Sequence, residues 1–424
     1  MSVAFFALLF ALVFTTVLET SNSGFVTELG MAAAGVCLLA ASVSVSKADR
    51  EHLLRATANL RWVLIAIPLC IGAQLMPIGL SLAHPIWTTT YDALQGIPFG
   101  YVTADFSRTL GAFLLALACV ALIGVTIVLS RDRRRAELVL FVLSTLTALV
   151  AVPKIVDHRL QGASIGPDGW DFATSLSGLG VALNLAVMQL AAERAETRHA
   201  IIRSVAIGML GLAGLLINGA VILGYSDTNS AVACALGVAL FLLILVIRRL
   251  DLPALAASAI CVVAAIGAAL VLTWIFEKGS GSPLLRLLPI QPEQARAVLD
   301  RLLADTRWFG AGAGAFQSIG RIYQSGDATA PLAVPSAAIA LFVETGWIGL
   351  ALAIAIVLSL LTRLVSGALR RGRDSFFSAA AAASLCFAVV QGFAGPGLLR
   401  TGAIVCLAAI VGLGLSQSVS QAAR

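Results

Sequence analysis

Apolar segments of about twenty residues recur along the whole chain, and each is long enough to cross the roughly 30 Å of hydrocarbon in a bilayer. The composition agrees, because 59% of the 424 residues are hydrophobic and only 12% are charged. A soluble domain carries about 25% charged residues. The segments also lack the alternation of transmembrane barrel strands. The sequence therefore predicts an all-α polytopic membrane protein embedded in a lipid bilayer.

Twelve segments are predicted to span the membrane. The chain then divides into helices 1–9 over residues 1–276, a polar insert over 277–335, and helices 10–12 over 336–424. The segments cover about 3–20, 26–46, 62–83, 108–130, 137–153, 172–192, 204–224, 229–247, 254–275, 336–362, 376–393 and 400–416.

Lysine and arginine concentrate on alternate loops, which predicts the orientation of the chain. Most of the 28 basic residues follow predicted segments 2, 4, 6, 8 and 10, and the runs Arg131–Arg135 and Arg370–Arg373 are the densest. By the positive-inside rule these loops are cytoplasmic. We therefore expect both termini in the cytoplasm and the large insert in the periplasm of a bacterial inner membrane. The formal charge of +6 follows from this distribution, and no nucleic-acid partner is predicted.

Cysteine and histidine show no pattern of a metal or catalytic site. All seven cysteines lie inside apolar segments, without CxxC or other ligand spacing, so we expect small buried hydrophobic residues. The histidines His52, His84, His158 and His199 are scattered, and we assign them no role. Neither a metal nor a cofactor is predicted.

The polar insert over 277–335 contains most of the candidate binding residues. An amphipathic helix predicted over Glu293–Asp305 carries Arg296 and Arg301, and the guanidinium fork matches phosphate oxygens. Both arginines precede an aspartate by four positions, so ion pairs within the helix are the alternative. Arg286 has no acidic residue four positions away and is freer to bind an anion.

The glycine run that begins at Gly310 is a second candidate for substrate binding. The backbone amides around Gly312 and Gly314 are of the type that cradles a phosphate. The run lacks Gly-Lys-Ser/Thr and follows no strand, so it predicts neither a P-loop nor a dinucleotide site. A flexible loop is the alternative.

Glu344 lies about eight residues into predicted segment 10. An ionisable group inside a membrane segment is costly and is by default a functional candidate. We expect either an acid–base role for Glu344 or a position near the interface, where it caps or pairs locally. Glu28 in predicted segment 2 presents the same choice.

These motifs, in this order, resemble the O-antigen ligase and O-antigen polymerase superfamily, which includes exopolysaccharide polymerases. Twelve helices with a large external loop between helices 9 and 10 resemble that family too, and strong motif matching covers about 296–350. The matching residues are the arginine-bearing helix, Phe309-Gly310-Ala311-Gly312-Ala313-Gly314-Ala315-Phe316, Glu344-Thr345-Gly346-Trp347-Ile348-Gly349-Leu350 and Tyr101-Val102-Thr103-Ala104-Asp105.

The resemblance implies transfer of an undecaprenyl-diphosphate-linked oligosaccharide to lipid A core or to another lipid-linked glycan, without a metal. The acceptor hydroxyl displaces the diphosphate at an anomeric carbon. Cations then stabilise the leaving group, and a base takes the acceptor proton. Arg296 matches the arginine of the family's loop helix, and Glu344 is the second catalytic candidate. Other polysaccharide assembly proteins are candidate partners.

The sequence departs from the family pattern in two places. The family often has a histidine where Val334-Pro335-Ser336-Ala337 stands here, and an arginine after serine where Ser226-Asp227-Thr228-Asn229 stands. We expect Arg159, Lys154 or Arg286 to supply the missing cation. The departures favour a polymerase-like role over a ligase.

Two other classes of function remain open. A transporter or flippase for lipid-linked sugars predicts polar residues at mid-depth in several helices. It also predicts two similar halves in a twelve-helix chain, and no internal repeat is visible in the sequence. A catalytically inactive scaffold of a polysaccharide assembly complex predicts that substitutions of the insert arginines are tolerated.

Overall fold

A computed structural model describes most of the chain, with gaps at the termini and in several loops. The described residues are 3–20, 25–58, 60–80, 83–94, 100–160, 167–196, 201–250, 293–324, 332–370 and 374–419. Predicted segment 9 and Arg286 lie outside these ranges, as do the side chains of 158–160, 167–169 and 293–294.

Helices make up nearly all of the described structure, which confirms the all-α prediction. Two short strands, β1 (Pro77–Ile78) and β2 (Gly100–Tyr101), pair antiparallel. The helices are α1 (Val3–Thr20), α2 (Val26–Ser44), α3 (Lys47–Ala56), α4 (Arg61–Gln74), α5 (Pro85–Leu94), α6 (Phe106–Leu129), α7 (Arg133–Leu160), α8 (Pro167–Glu196), α9 (Ile201–Gly224), α10 (Thr228–Arg249), α11 (Glu293–Ala304), α12 (Phe316–Tyr323), α13 (Ala337–Arg370), α14 (Ser375–Ala394) and α15 (Thr401–Ser418).

Ten of these helices are long and apolar enough to span a membrane within the described ranges: α1, α2, α6 to α10, and α13 to α15. The pair α3 and α4, bent by 79° at a short break, is an eleventh candidate. The architecture is therefore that of a multi-pass membrane protein.

Two predicted segments differ from the structure in an informative way. Predicted segment 3 was expected to continue to residue 83, but α4 ends at Gln74 and the chain enters β1 at Pro77, where pairing with β2 replaces the hydrogen bonds of the helix. Predicted segment 10 becomes α13, which is broken at Gly346 (φ 66°, ψ −163°).

Helices α8, α14 and α15 form the centre of the bundle and are buried over most of their length. Small residues allow this close packing. A Cβ atom added to Gly237 on α10 would lie 2.9 Å from the Ala383 carbonyl oxygen on α14. By contrast, only 22–28% of the most apolar 18-residue stretch of α2, α9 and α13 is buried, and the exposed side chains of these helices are largely apolar, as expected of helices that face lipid.

Candidate functional site

Two connections outside the membrane spans pack together into one unit, which we call the cap. It consists of β1, β2 and α5 from the first connection, and α11 and α12 from the polar insert. The Ala104 amide donates a hydrogen bond to the Ala311 carbonyl (2.8 Å), and the Ser318 hydroxyl donates one to Asp105 (2.7 Å). An apolar cluster that includes Leu302, Phe316 and Ile339 anchors the cap on α13.

The glycine run is a tightly packed wedge of the cap and sits against α4, α6 and α13. Gly310, Gly312 and Gly314 have φ angles of 67°, 107° and 78°, in the region that side chains rarely adopt. A Cβ atom at Gly312 would lie 2.6 Å from the Cβ atom of Thr103. Glycine is therefore required both by the backbone conformation and by the close approach.

The backbone amides of this run are bonded to acceptors within the protein. The Gly312 amide donates to the Glu344 carbonyl (2.9 Å), and the Ala313 amide donates to Oε1 of Gln74 (3.0 Å). The Gly314 amide donates to the Glu344 carboxylate. These groups hold the wedge in place, so the structure gives Gly312 and Gly314 an architectural position in the cap.

The Glu344 carboxylate lies at the N-terminus of α12, where it also accepts from the Phe316 amide (3.3 Å). The first amides of a helix lack partners within the helix and favour negative charge. Glu19 on α1 makes the same kind of contact with the Gly402 amide at the start of α15 (3.1 Å). The surroundings of Glu344 therefore match the local-capping alternative.

The arginines of the cap make no ion pair within 4.0 Å among the residues that the structure describes. Arg296 is half-buried, whereas Arg301 is exposed. The Arg296–Asp300 and Arg301–Asp305 pairs, which were the alternative to anion binding, are not formed. Instead Asp305 accepts a hydrogen bond from the Tyr323 hydroxyl (2.9 Å). The guanidinium groups are therefore available to an anion.

Lys154 and Arg159 lie on α7, and the described contacts of Lys154 are with α8. Lys154 is only 3% exposed, and its ammonium group donates to the Thr174 hydroxyl and to the Trp170 carbonyl (3.2 Å). Arg159 lies near the end of the same helix, with its side chain outside the described part. The structure therefore does not bring Lys154 together with Arg296 in one site.

A cavity of about 600 Å³ lies where the cap meets the break in α13. Trp308 and Trp347 are exposed by 69% and 52%, and the Trp308 carbonyl accepts from the Ile348 amide (3.1 Å). The lining residues are Thr306, Arg307, Trp308, Trp347 and Ala351. A guanidinium group, two indole rings and an apolar helix face thus meet in one place.

The cavity continues onto an exposed apolar face of α13. Trp347, Ala351, Ile354 and Leu358 are all exposed and follow one another at intervals of three or four residues, which places them on one side of a helix. This face extends over about 17 Å at 1.5 Å per residue. It gives an apolar ligand a surface that starts at Arg307.

His84, to which the sequence assigned no role, lies half-buried between β1 and α5. Burial, and secondly the charge of Arg307, lower the pKa of His84 below its usual value, so the ring is neutral at neutral pH. Its Nδ1 atom accepts from the Ile86 amide (3.4 Å). The neutral ring therefore carries its proton on Nε2, which makes it a hydrogen-bond donor near Arg307.

Sequence reasoning missed Arg307 as well. The available signal was the one noted for Arg286: no acidic residue lies three or four positions away on either side, and a tryptophan follows directly.

Comparison of the chain with protein-family models and with curated proteins finds no match.

Proposed function

We propose that the protein transfers a glycan from an undecaprenyl-diphosphate carrier to a hydroxyl acceptor at the periplasmic face of the bacterial inner membrane, in the manner of a polysaccharide polymerase. The observation that carries the proposal is the cavity in which Arg307, free of ion pairs among the described residues, meets Trp308, Trp347 and the apolar face of α13.

The lining of the cavity fits the two chemically distinct parts of a prenyl diphosphate. The guanidinium fork of Arg307 matches diphosphate oxygens. The apolar face through Ile354 and Leu358 lies along the bundle, where a prenyl chain has lipid on its other side. Tryptophan is favoured at such a boundary, because its ring is apolar and its N–H group is polar.

The reaction then proceeds by displacement. An acceptor hydroxyl oxygen bonds to the anomeric carbon, the bond from that carbon to the diphosphate breaks, and the diphosphate leaves with the electron pair. Arg307 and Arg296 stabilise the developing charge, and the Nε2–H group of His84 donates a further hydrogen bond. The acceptor gives up its proton to a base. The acceptor is another lipid-linked glycan in a polymerase and lipid A core in a ligase.

The test is complementation of a deletion strain, with the membrane level of each variant measured. We expect Arg307→Ala to leave single repeat units, and Arg307→Lys to restore only part of the chain length, because lysine lacks the planar fork. Arg296 is half-buried in the cap but does not line the cavity, so Arg296→Ala is expected to shorten the chains less than Arg307→Ala. Arg321→Ala is the control, since Arg321 is an exposed cap arginine outside the cavity lining.

Each other outcome points to a different function. Loss of glycan from lipid A core, with long chains still on the lipid carrier, indicates a ligase. Full restoration of the glycan profile by both Arg307→Ala and Arg296→Ala contradicts the proposal and favours the inactive scaffold or the transporter. The transporter is our second candidate, because polar side chains do meet at mid-depth between α7, α8 and α9.

A further inference from the structure

Polar side chains line the interface of α7 and α8 through the apolar part of the bundle. Glu137 and Lys154 mark the two ends on α7, and the 17 residue steps from one to the other span about 25 Å, close to the thickness of the hydrocarbon layer. The other seam positions are three, seven or ten residues apart along each helix and are Ser144 and Thr147 on α7 with Thr174, Ser177, Asn184 and Arg194 on α8. We call this row the polar seam.

Three pairs of the seam are joined directly across the antiparallel helices. The Ser144 hydroxyl donates to Oδ1 of Asn184 (2.8 Å) near the middle. At the ends, Lys154 donates to Thr174 and Arg194 pairs with Glu137. The seam is therefore polar at both ends and at mid-depth, where a polar group is expensive to place in lipid.

Helix α9 adds Asn218 to the same region. A Cβ atom at Gly180 on α8 would lie 2.5 Å from Oγ1 of Thr147 and 2.7 Å from Oδ1 of Asn218, so these two polar atoms converge over the glycine. The Asn218 side chain is completely buried. One side of this glycine thus faces polar atoms from two other helices.

Two polar atoms of this region lack a hydrogen-bond partner in the described part of the chain. They are Oδ1 of Asn218 and Oγ of Ser177, and both side chains are fully buried. An unpaired polar group in an apolar medium costs about 2–7 kcal/mol. Buried water commonly satisfies such groups. The unpaired atoms belong to residues between the Lys154 end and the Ser144–Asn184 pair, so we expect buried water at this level of the bundle.

The two ends of the seam differ in what surrounds them. Lys154 contacts the carbonyl and the ring of Trp170 and is attracted by Asp171 and Asp227, and Asp157 lies one turn further along α7. At the other end, Glu137 pairs with Arg133 and Arg194, and Arg133 also pairs with Asp374.

Leu140 interrupts the seam between Ser144 and Glu137. It is fully buried, and on α7 it occupies the seam position between these two polar residues. An apolar layer of this kind prevents a continuous chain of hydrogen bonds from one end of the seam to the other.

We propose that the polar seam is a proton path that opens at Lys154 and is closed by Leu140. The Lys154 ammonium gives a proton to water beside Ser177 and becomes a neutral amine. Hydroxyl groups and water pass the proton to the depth of Asn184, where Leu140 stops it in the wild-type protein, and it returns to the amine by the same route. Where a polar side chain replaces Leu140, the proton passes on to the Glu137 carboxylate and from there to the solution at that end, and the amine regains a proton from the solution at the Lys154 end. No other reactant is needed, and the inference does not rest on the proposed glycan transfer.

The test uses the purified full chain in liposomes with a pH-sensitive dye inside and an imposed membrane potential. We expect liposomes with the wild-type protein to be impermeable to protons. Leu140→Ser should raise proton flux by about tenfold or more, because a hydroxyl that holds water replaces the apolar layer. Leu146→Ser is the matched control, since Leu146 is also buried (2% exposed) but is not three or four residues from any seam position on α7. Leu140→Ser combined with Lys154→Met should return the flux to the wild-type level.

Three results would overturn the inference: a folded Leu140→Ser protein that is as impermeable to protons as wild type, equal proton flux through Leu146→Ser, or a flux that persists without Lys154. Leu140→Ala serves where the serine variant does not fold, and it should give a smaller rise that also depends on Lys154. Glycan profiles of the same variants separate this path from the transferase proposal, because loss of the proton path leaves Arg307 and the cap unchanged.

Discussion

Asn184 on α8 packs directly onto Gly214 on α9, where an added Cβ atom would lie 2.7 Å from the side-chain Cγ atom of Asn184. The relationship is reciprocal, because Asn218 on α9 packs onto Gly180 on α8. Each asparagine also donates to the carbonyl of the glycine four residues earlier in its own helix (2.7 and 2.9 Å). A Gly-x-x-x-Asn pattern on both helices thus joins them at the closest approach.

Gly214→Ala should therefore destabilise the bundle. Forcing a methyl group into a packed contact typically costs about 1–3 kcal/mol, and Asn184 is buried and bonded to Ser144. Gly219→Ala on the same helix is the control, because nothing lies within 4 Å of the added atom. Thermal unfolding of purified protein in detergent checks both. An equal decrease in unfolding temperature for the two variants would show that the contact with Asn184 does not cause the destabilisation at Gly214.

Gly312→Ala should loosen the cap without unfolding the bundle. The residue has a φ of 107°, where a side chain costs about 1–3 kcal/mol, and the added atom also meets Thr103. Limited proteolysis should cut the cap faster, while Gly111→Ala at an uncrowded position of α6 should not change the rate. The additional variant Thr103→Gly should recover only part of the loss, because it removes the contact with the Thr103 side chain and leaves both the backbone strain and the contact with the Thr109 hydroxyl.

The membrane helices were largely predictable from the sequence, because each coincides with an apolar run. The ends of these helices were less predictable. Helix α7 continues past residue 153 through Lys154, because the Lys154 ammonium group has hydrogen-bond partners on α8. A partner on another helix cannot be recognised from the local sequence pattern. Helix α4 ends early at Gln74, whose side chain donates to the Phe309 carbonyl (2.8 Å) more than two hundred residues away.

The candidate site shows the same limit. The glycine run stood out in the sequence, but its use as a wedge depends on Gln74, Thr103 and Glu344, which only the fold brings together. The anion-binding expectation for Arg296 and Arg301 rested on four-residue spacing that equally allowed ion pairs, and the structure forms neither pair. Arg307 is of interest because it lines the same cavity as Trp347 on α13, and no local sequence motif contains both residues.

Glu344→Gln and Glu344→Leu should separate a capping role from an acid–base role. Glutamine keeps an oxygen that accepts from the Gly314 and Phe316 amides, so the cap should stay folded. Leucine leaves those two amides unpaired, at a cost of about 1–3 kcal/mol each, and should loosen the cap. We would measure proteolysis and glycan profile together. A Glu344→Gln protein with an intact cap but no long chains would show that the carboxylate is needed for chemistry.

His84 and Arg307 should be electrostatically coupled, and the coupling is measurable. The pKa of His84 in the folded protein lies below its usual value, so the unfolded chain binds the proton more tightly and cap stability falls as the pH drops below about 6.5. Arg307→Ala removes one of the two causes, and the pKa of His84 should rise while remaining below the usual value, because burial persists. Arg307→Lys should keep most of the effect.

The rate at which diethyl pyrocarbonate modifies His84, followed against pH by mass spectrometry, reports this pKa because only the neutral ring reacts. The midpoint should move upward in Arg307→Ala and stay in place in Arg321→Ala, which removes an exposed charge elsewhere on the cap. An unchanged midpoint in Arg307→Ala would mean that burial alone sets the pKa. His84 would then lie too far from the cavity arginine to assist it with a bound diphosphate.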